Sequence, residues 1–306
     1  MTEQEARGDD RRAVLLVTHT GRAQATSSAR LAAERLIKAG LQVRVPRSEA
    51  EDLALPEVEV VEGLPGAARG CELVMVLGGD GSILRGAEFA RGSDAALLGV
   101  NLGHVGFLAE AEEDDLTAVV DRIVAKAYVV EERMTLDVSV LREGQEQART
   151  WAVNEASVEK QARERMLEVV VEVDGRPLSR WGCDGVVCAT PTGSTAYAFS
   201  AGGPVVWPEV QALLMVPLSA HALFARPLVV APTSVLAVEL ADRTADGVLW
   251  CDGRRTVDLR PGDRVEVRRG AEPLRLARLQ HLPFTDRLVR KFDLPVDGWR
   301  GRASRG

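Results

Sequence analysis

The sequence predicts an α/β domain followed by a β-rich domain, on three observations. The first is an unbroken apolar run, Leu73 to Leu77, closed by Gly78-Gly79-Asp80-Gly81-Ser82 and followed by Ile83, Leu84, Ala87 and Ala90 at helical spacing. The second is a strand–helix–strand pattern ahead of that run. The third is a change of texture near Tyr128, after which short alternating runs are separated by turn signals.

In chain order, a disordered tail is expected over residues 1–12 and the α/β domain over 13–127. Ala13 to Val17 reads as a buried strand. Ala25, Ala29, Ala32, Ala33, Leu36 and Ile37 mark one face of a helix that Gly40 stops. Leu41, Val43 and Val45 alternate as the next strand. Residues 46–70 are rich in Pro, Glu and Gly with little periodicity, so a mobile connection is expected there. Leu73 to Leu77 then forms a buried parallel strand, and Ala95 to Val100 another. Leu116, Val119, Val120, Ile123 and Val124 mark a helix led by the acidic residues Glu112 to Asp115, whose charge suits a helix N-terminus. The β-rich domain is expected over 128–270. Met134, Leu136, Val138 and Val140 alternate there, and the turn pairs are Glu143-Gly144, Asp174-Gly175, Asp246-Gly247, Asp252-Gly253 and Pro261-Gly262. The segment 271–306 returns to helical spacing at Phe284, Leu288, Val289 and Phe292, with a helix expected to pack on the first domain.

Composition bounds the function. The 306 residues are 46% hydrophobic and 27% charged with a net charge of −7, which argues against nucleic acid or an anionic membrane as the main partner. No apolar run approaches the roughly 20 residues needed to span a bilayer. The four cysteines, Cys71, Cys183, Cys188 and Cys251, are scattered and fit neither a zinc site nor a disulfide framework. The expected setting is the cytoplasm.

Two glycine-rich stretches carry chemistry. A strand that ends in glycines and opens a helix lets bare backbone and N–H groups approach a phosphate. Asp80 has the wrong charge for such a cradle. It suits accepting a hydrogen bond from a hydroxyl or helping to hold a metal; an Asp that hydrogen-bonds its own turn is the competing reading. The second stretch follows Cys183-Asp184-Gly185 and a strand to Thr190. Thr190, Thr192, Ser194, Thr195, Tyr197 and Ser200 place six hydroxyls in eleven positions among small residues. Short donors at close range suit a sugar and diphosphate ligand; a Ser/Thr-rich loop capping a helix is the alternative. Asn154-Glu155, expected within a strand, is an odd place for an amide and a carboxylate, unless that strand face is solvated.

Together, GGDGS, Asn154-Glu155, DGVVCATPTGSTAYAFSAGGP and Cys251-Asp252-Gly253 resemble the bacterial NAD kinases, in the same order over roughly Ala13 to Phe292. The resemblance implies an α/β N-terminal domain, a β-sandwich-like C-terminal domain and a homo-oligomer, a dimer or tetramer. It implies transfer of the γ-phosphoryl of ATP, or in some members of polyphosphate, to the adenosine ribose 2′-hydroxyl of NAD, with Mg²⁺ or another divalent cation. By the same resemblance Asp80 is the catalytic carboxylate, and Gly81 allows close backbone approach. Asn154 and Glu155 hydrogen-bond NAD, and Asp184 holds a ribose or amide group. Thr195, Ala196, Tyr197, Ala198, Phe199 and Ser200 line the dinucleotide site. His104 and Phe107 border the adenine, while Arg85 and Arg165 match phosphate-contacting positions. Two departures stand out: Ser82 replaces the usual Thr, and Gly182 stands where some relatives carry a basic residue, with Arg180 a candidate substitute.

Other chemistries find no support in the motifs. There is no Walker A sequence and no strand-anchored G-x-G-x-x-G followed by an acidic residue. His19, His104, His221 and His281 lack metal-ligand spacing, and no G-x-S-x-G occurs. The alternatives are another GGDG-type kinase acting on a lipid or sugar phosphate, which leaves TPTGSTAY unexplained, and a non-catalytic dinucleotide sensor, which has no use for Asp80.

Overall fold

The computed structural model describes residues 11–19, 21–101, 107–109, 111–112, 116–279 and 283–296. They form two compact units: residues 11–132 with 275–296, and Arg133–Leu274. No helix among the described residues is long and apolar enough to cross a membrane.

In the first unit β1 (Ala13–Thr18) leads into α1 (Ala23–Lys38), β2 (Gln42–Pro46), α2 (Arg47–Leu53), β3 (Glu59–Val61), β4 (Leu73–Leu77), α3 (Asp80–Ala90) and β5 (Ala96–Asn101). β6 (Ala111–Glu112), α4 (Leu116–Val124) and β7 (Val129–Arg133) follow. The alanine face of α1, with Leu36, is buried, and the helix ends where Gly40 takes φ 85°. There the Gly40 and Leu41 N–H groups donate back to Ile37 and Leu36 carbonyls. The mobile connection expected over 46–70 contains a helix and a strand instead. Only Glu49 and Leu53 of α2 are buried, so the segment shows no apolar period to read.

β4 lies between β1 and β5 in parallel register, Thr18 beside Leu77 and Leu77 beside Val100. The carboxyl ends of three strands therefore share one edge, the usual ligand edge of an open α/β sheet.

The second unit runs through β8 (Leu136–Arg142), β9 (Gln145–Ala152), β10 (Glu155–Lys160), β11 (Leu167–Val173), β12 (Arg176–Cys183) and β13 (Gly185–Ala189). A 3₁₀ turn (Thr192–Thr195) and α5 (Tyr197–Ser200) intervene. β14 (Leu213–Leu218), β15 (Leu228–Val230), β16 (Leu236–Leu240), β17 (Gly247–Cys251), β18 (Arg255–Leu259) and β19 (Arg264–Arg269) complete it. Two antiparallel sheets result, β15-β14-β13-β10-β17-β18 and β12-β11-β16-β19-β8-β9. One core joins their facing residues, among them Val138, Val169, Trp181, Val186, Met215 and Leu249. The fully buried Trp181 donates its indole N–H to the Phe224 carbonyl at 2.9 Å, which satisfies its one polar group.

Three expected hairpin turns form with both central residues at positive φ: Glu143-Gly144, Asp174-Gly175 and Asp252-Gly253. The other two differ. Gly247 is the first residue of β17, and Pro261-Gly262 carries the chain from β18 in one sheet to β19 in the other.

The chain then returns to the first unit. β20 (Leu274–Arg278) joins the first sheet between β5 and β7, and α6 (Phe284–Phe292) follows.

Candidate active site

In the first unit the site is the junction of β4 and α3. A Cβ on Gly78 would lie 2.6 Å from Ser82 Oγ, so the tight departure from the strand demands glycine there. Gly79 precedes the helix, and its carbonyl accepts from the Ser82 and Ile83 N–H groups. Asp80 is therefore the first helical residue rather than the middle of a turn. Its carboxylate sits where the helix dipole favours negative charge, and the Leu108 N–H donates to Oδ1 at 3.4 Å. Among the described residues, a Cβ on Gly79 or Gly81 would meet nothing within 4 Å. Packing among the described residues does not require glycine at either position.

Arg85, on the same helix, lies 2.6 Å from Glu49 Oε1, donates to Ser48 Oγ at 2.8 Å and lies over the Phe89 ring. Glu49 is buried and accepts the Thr18 N–H at 2.8 Å from the end of β1. Burial pushes the Glu49 carboxyl up, while the Thr18 N–H and Arg85 oppose that shift. Sequence reasoning passed over Ser48 and Glu49, which sit in a segment without pattern. The Phe107 ring packs on α6, 6.0 Å from Phe284 and 5.7 Å from Phe292, and Arg287 donates to the Phe107 carbonyl. His104 lies outside the described residues.

In the second unit Asn154 is not within a strand, contrary to expectation. The chain leaves β9 in one sheet at Ala152, crosses through Val153 and Asn154, and enters β10 in the other at Glu155. Both Asn154 and Glu155 are buried. The Asn154 carbonyl accepts the Thr190 N–H at 2.9 Å, and a Cβ on Gly193 would lie 2.0 Å from that carbonyl oxygen. The glycine of Thr192-Gly193-Ser194 thus lets the hydroxyl-rich turn press against the crossing.

The hydroxyls divide by role. Thr190 Oγ1 donates to the Val153 carbonyl at 2.7 Å and accepts the Gly193 N–H at 3.0 Å. Ser194 Oγ accepts the Val206 N–H at 2.9 Å and donates to the Val206 carbonyl. Both residues are fully buried and hold the turn. Thr195 Oγ1 donates to Thr192 O at 3.3 Å. Ala198 is also fully buried, packed with Val187, Leu214 and Val216, so its side chain lines no site. Ala196 is half-buried, whereas Tyr197, Phe199 and Ser200 are exposed.

Tyr197 donates its backbone N–H to Glu155 Oε2 at 3.4 Å and borders a cleft of about 380 Å³. Glu159, Lys160, Arg163, Asp184 and Ser219 also line it. Asp184 joins β12 to β13, and its hydrogen bond from Lys160, 2.5 Å away, holds its carboxyl below the usual range. Arg165 is exposed and does not line the cleft; Arg163, unforeseen from sequence, does. Arg180 lies 3.7 Å from Glu168, also away from the cleft lining.

Burial is the main cause that lifts the Glu155 carboxyl to about 8, and the Asp252 charge adds to it. Asp252 is itself buried, and burial raises its pKa too, against the N–H groups of Val153, Asn154 and Glu155 and the Arg255 guanidinium. Both carboxyl groups are buried, close enough that the Asp252 charge raises the Glu155 pKa.

Residues 14–128 match the family model for the ATP-NAD kinase N-terminal domain, and residues 153–279 that for the ATP-NAD kinase C-terminal domain. The chain belongs to the NAD kinase family. It is 67% identical over 292 residues to NAD kinase 2 of Streptomyces avermitilis, covering 95% of this chain and 97% of that one. It is 64% identical over 302 residues to the NAD kinase of Thermobifida fusca, covering 96% and 93%. Two solved NAD kinase folds are similar. The yeast NADH kinase complexed with NADH has a TM-score of 0.85 at 22% identity, over 94% of this chain and 89% of that one. The NAD kinase from Archaeoglobus fulgidus in complex with ATP has a TM-score of 0.70 at 24% identity, over 93% and 100%. As an NAD kinase, the chain is a phosphotransferase built from an α/β domain and a β-rich domain.

Proposed function

We propose that this NAD kinase moves the γ-phosphoryl of ATP to the adenosine ribose 2′-hydroxyl of NAD with Asp80 as proton acceptor. The ribose oxygen forms the new P–O bond, the bond to the β-phosphate oxygen breaks, ADP leaves, and the hydroxyl proton passes to Asp80. The observation that carries this reading is the Asp80 carboxylate at the head of α3, between glycines whose missing side chains open toward free space. Glycines that packing among the described residues does not need are accounted for by a ligand that approaches the backbone. The helix N-terminus supplies N–H groups for phosphate oxygens.

Asn154, Glu155, Asp184 and the exposed Tyr197 ring form the NAD side of the reading, with stacking on the ring and hydrogen bonds from the polar groups. Arg163 in the same cleft supplies positive charge for a diphosphate, while Lys160 is paired with Asp184. ATP and NAD as substrates draw support from the two similar folds described with ATP and with NADH.

No group of three or more His, Cys, Asp or Glu side chains among the described residues could hold a metal alone. A single carboxylate such as Asp80 suits Mg²⁺, which takes one or two carboxylates and completes its shell with water and substrate phosphates. Asp80 is the residue that would hold it. When bound, the ion neutralises charge on the transferring phosphoryl group. A homodimer or tetramer in the cytoplasm completes the proposal, supported by the family resemblance; exposed Phe199, Trp207 and Phe224 are candidates for the contact between copies.

The test is NADP formation from NAD and Mg²⁺ with ATP or polyphosphate, read by a coupled NADP-dependent dehydrogenase. Turnover with ATP is expected, and the polyphosphate arm defines the donor range. Asp80→Asn should lower kcat by roughly 10²–10⁴ with NAD affinity largely kept. A near-normal kcat would remove Asp80 from the role of proton acceptor.

A further inference from the structure

Asp252 lies in the turn between β17 and β18, where neither its spacing nor its exposure marks it as a ligand contact. Its carboxylate is buried, and its oxygens gather donors from the point where the chain changes sheets. Oδ1 accepts the Asn154 N–H at 2.7 Å and Oδ2 the Val153 N–H at 2.9 Å. The Glu155 N–H reaches Oδ1 at 3.4 Å. In return the Asp252 N–H donates to the Glu155 carbonyl at 3.0 Å. Val153 and Asn154 lie between the two sheets, where their N–H groups have no neighbouring strand, and buried donors left unmade are costly. Arg255 donates to Oδ2 at 2.7 Å, and its guanidinium lies 4.4 Å from the Trp151 ring centroid.

The opposite side of the crossing is held as well. The Thr190 N–H and the close approach of Gly193 meet the Asn154 carbonyl, and Thr190 Oγ1 donates to the Val153 carbonyl. The peptide units that carry the Asn154 and Glu155 side chains are therefore clamped by one carboxylate and by the hydroxyl-rich turn.

We propose that Asp252 is the positioning residue of the dinucleotide site, setting Asn154 and Glu155 through the main chain without touching the ligand. This rests on the reading of Asn154 and Glu155 as NAD contacts. The position tolerates few residues. Asp252 has φ 53°, a left-handed conformation that Asp and Asn accept and most side chains do not. Asp252→Asn keeps that backbone and the side-chain shape, but its amide has one acceptor oxygen where the carboxylate has two and no charge to pair with Arg255.

The experiment is steady-state kinetics on the full chain, with KM for NAD and for ATP, kcat and Tm measured together. Asp252→Asn should raise KM for NAD roughly tenfold to hundredfold, with KM for ATP and kcat within about threefold. Arg255→Met, which removes the cation but leaves the carboxylate, should raise KM for NAD by a smaller factor, and it decides alone if Asp252→Asn fails to fold. A drop in Tm with KM for NAD unchanged, or an equal rise in both KM values, would make the clamp merely structural and overturn the inference. Failure of the wild-type chain to produce NADP in the same assay would instead overturn the underlying site reading.

Discussion

Burial, with the charge of buried Asp252 adding to it, makes Glu155 a pH-sensitive residue of the site. Its pKa lies near 8 in the folded chain against an ordinary 4.5. Below about 4.5 both folded and unfolded states hold the proton. Between 4.5 and 8 the unfolded chain has released it while the folded chain retains it, so this group's contribution to stability falls as pH rises through that window. Glu155→Gln removes the titration. Its Tm relative to wild type should climb by several degrees between pH 5 and pH 8. A Tm difference independent of pH would show that Glu155 ionises normally in the fold.

Among the elements, the hydroxyl-rich turn is both a ligand candidate and a structural wedge. Gly193→Ala would set a Cβ 2.0 Å from the Asn154 carbonyl oxygen, against backbone that is itself clamped. A loss of about 3 kcal/mol or more is expected from that overlap, read as a shift in denaturant midpoint. Thr190→Val leaves a buried carbonyl and a buried N–H without the partner hydroxyl, and should cost about 1–3 kcal/mol. Ser200→Ala, at an exposed position, should stay within about 0.5 kcal/mol of wild type. Equal costs for Thr190→Val and Ser200→Ala would refute the division of these hydroxyls into structural and solvent-facing groups. At the β4–α3 junction the strand, the glycines and the helix were all legible, because each is encoded by adjacent residues with a strong local period.

For the whole molecule, the second unit is continuous in sequence while the first is not. The ends of the second unit are tied together: Gly270 N–H donates to the Thr135 carbonyl at 2.7 Å, and Thr135 Oγ1 to the Glu272 carbonyl at 2.6 Å. The first unit's sheet takes β20 between β5 and β7 after the chain has built the second unit. Residues 133–274 expressed alone should therefore melt in one cooperative transition with β-rich circular dichroism. Residues 11–132 alone lack β20 and should lose cooperative unfolding. A fragment 133–274 without a thermal transition would show that its core depends on the first unit.

The sequence by itself determined the two textures, the buried strand before Asp80, the helix after it, three of the hairpin turns and the motifs of the family. Each of these is written in residues close enough together to leave a period or a turn pair. Only the tertiary structure decided that Glu49 would meet Arg85 and the end of β1, that β20 would enter the first sheet, and that Asp252 would hold a crossing about a hundred residues earlier. It also decided which hydroxyls of the Thr190–Ser200 stretch turn inward. Those outcomes depend on donors and acceptors far apart in the chain finding each other where water is excluded, and a hydrogen bond of that kind leaves no trace in local spacing.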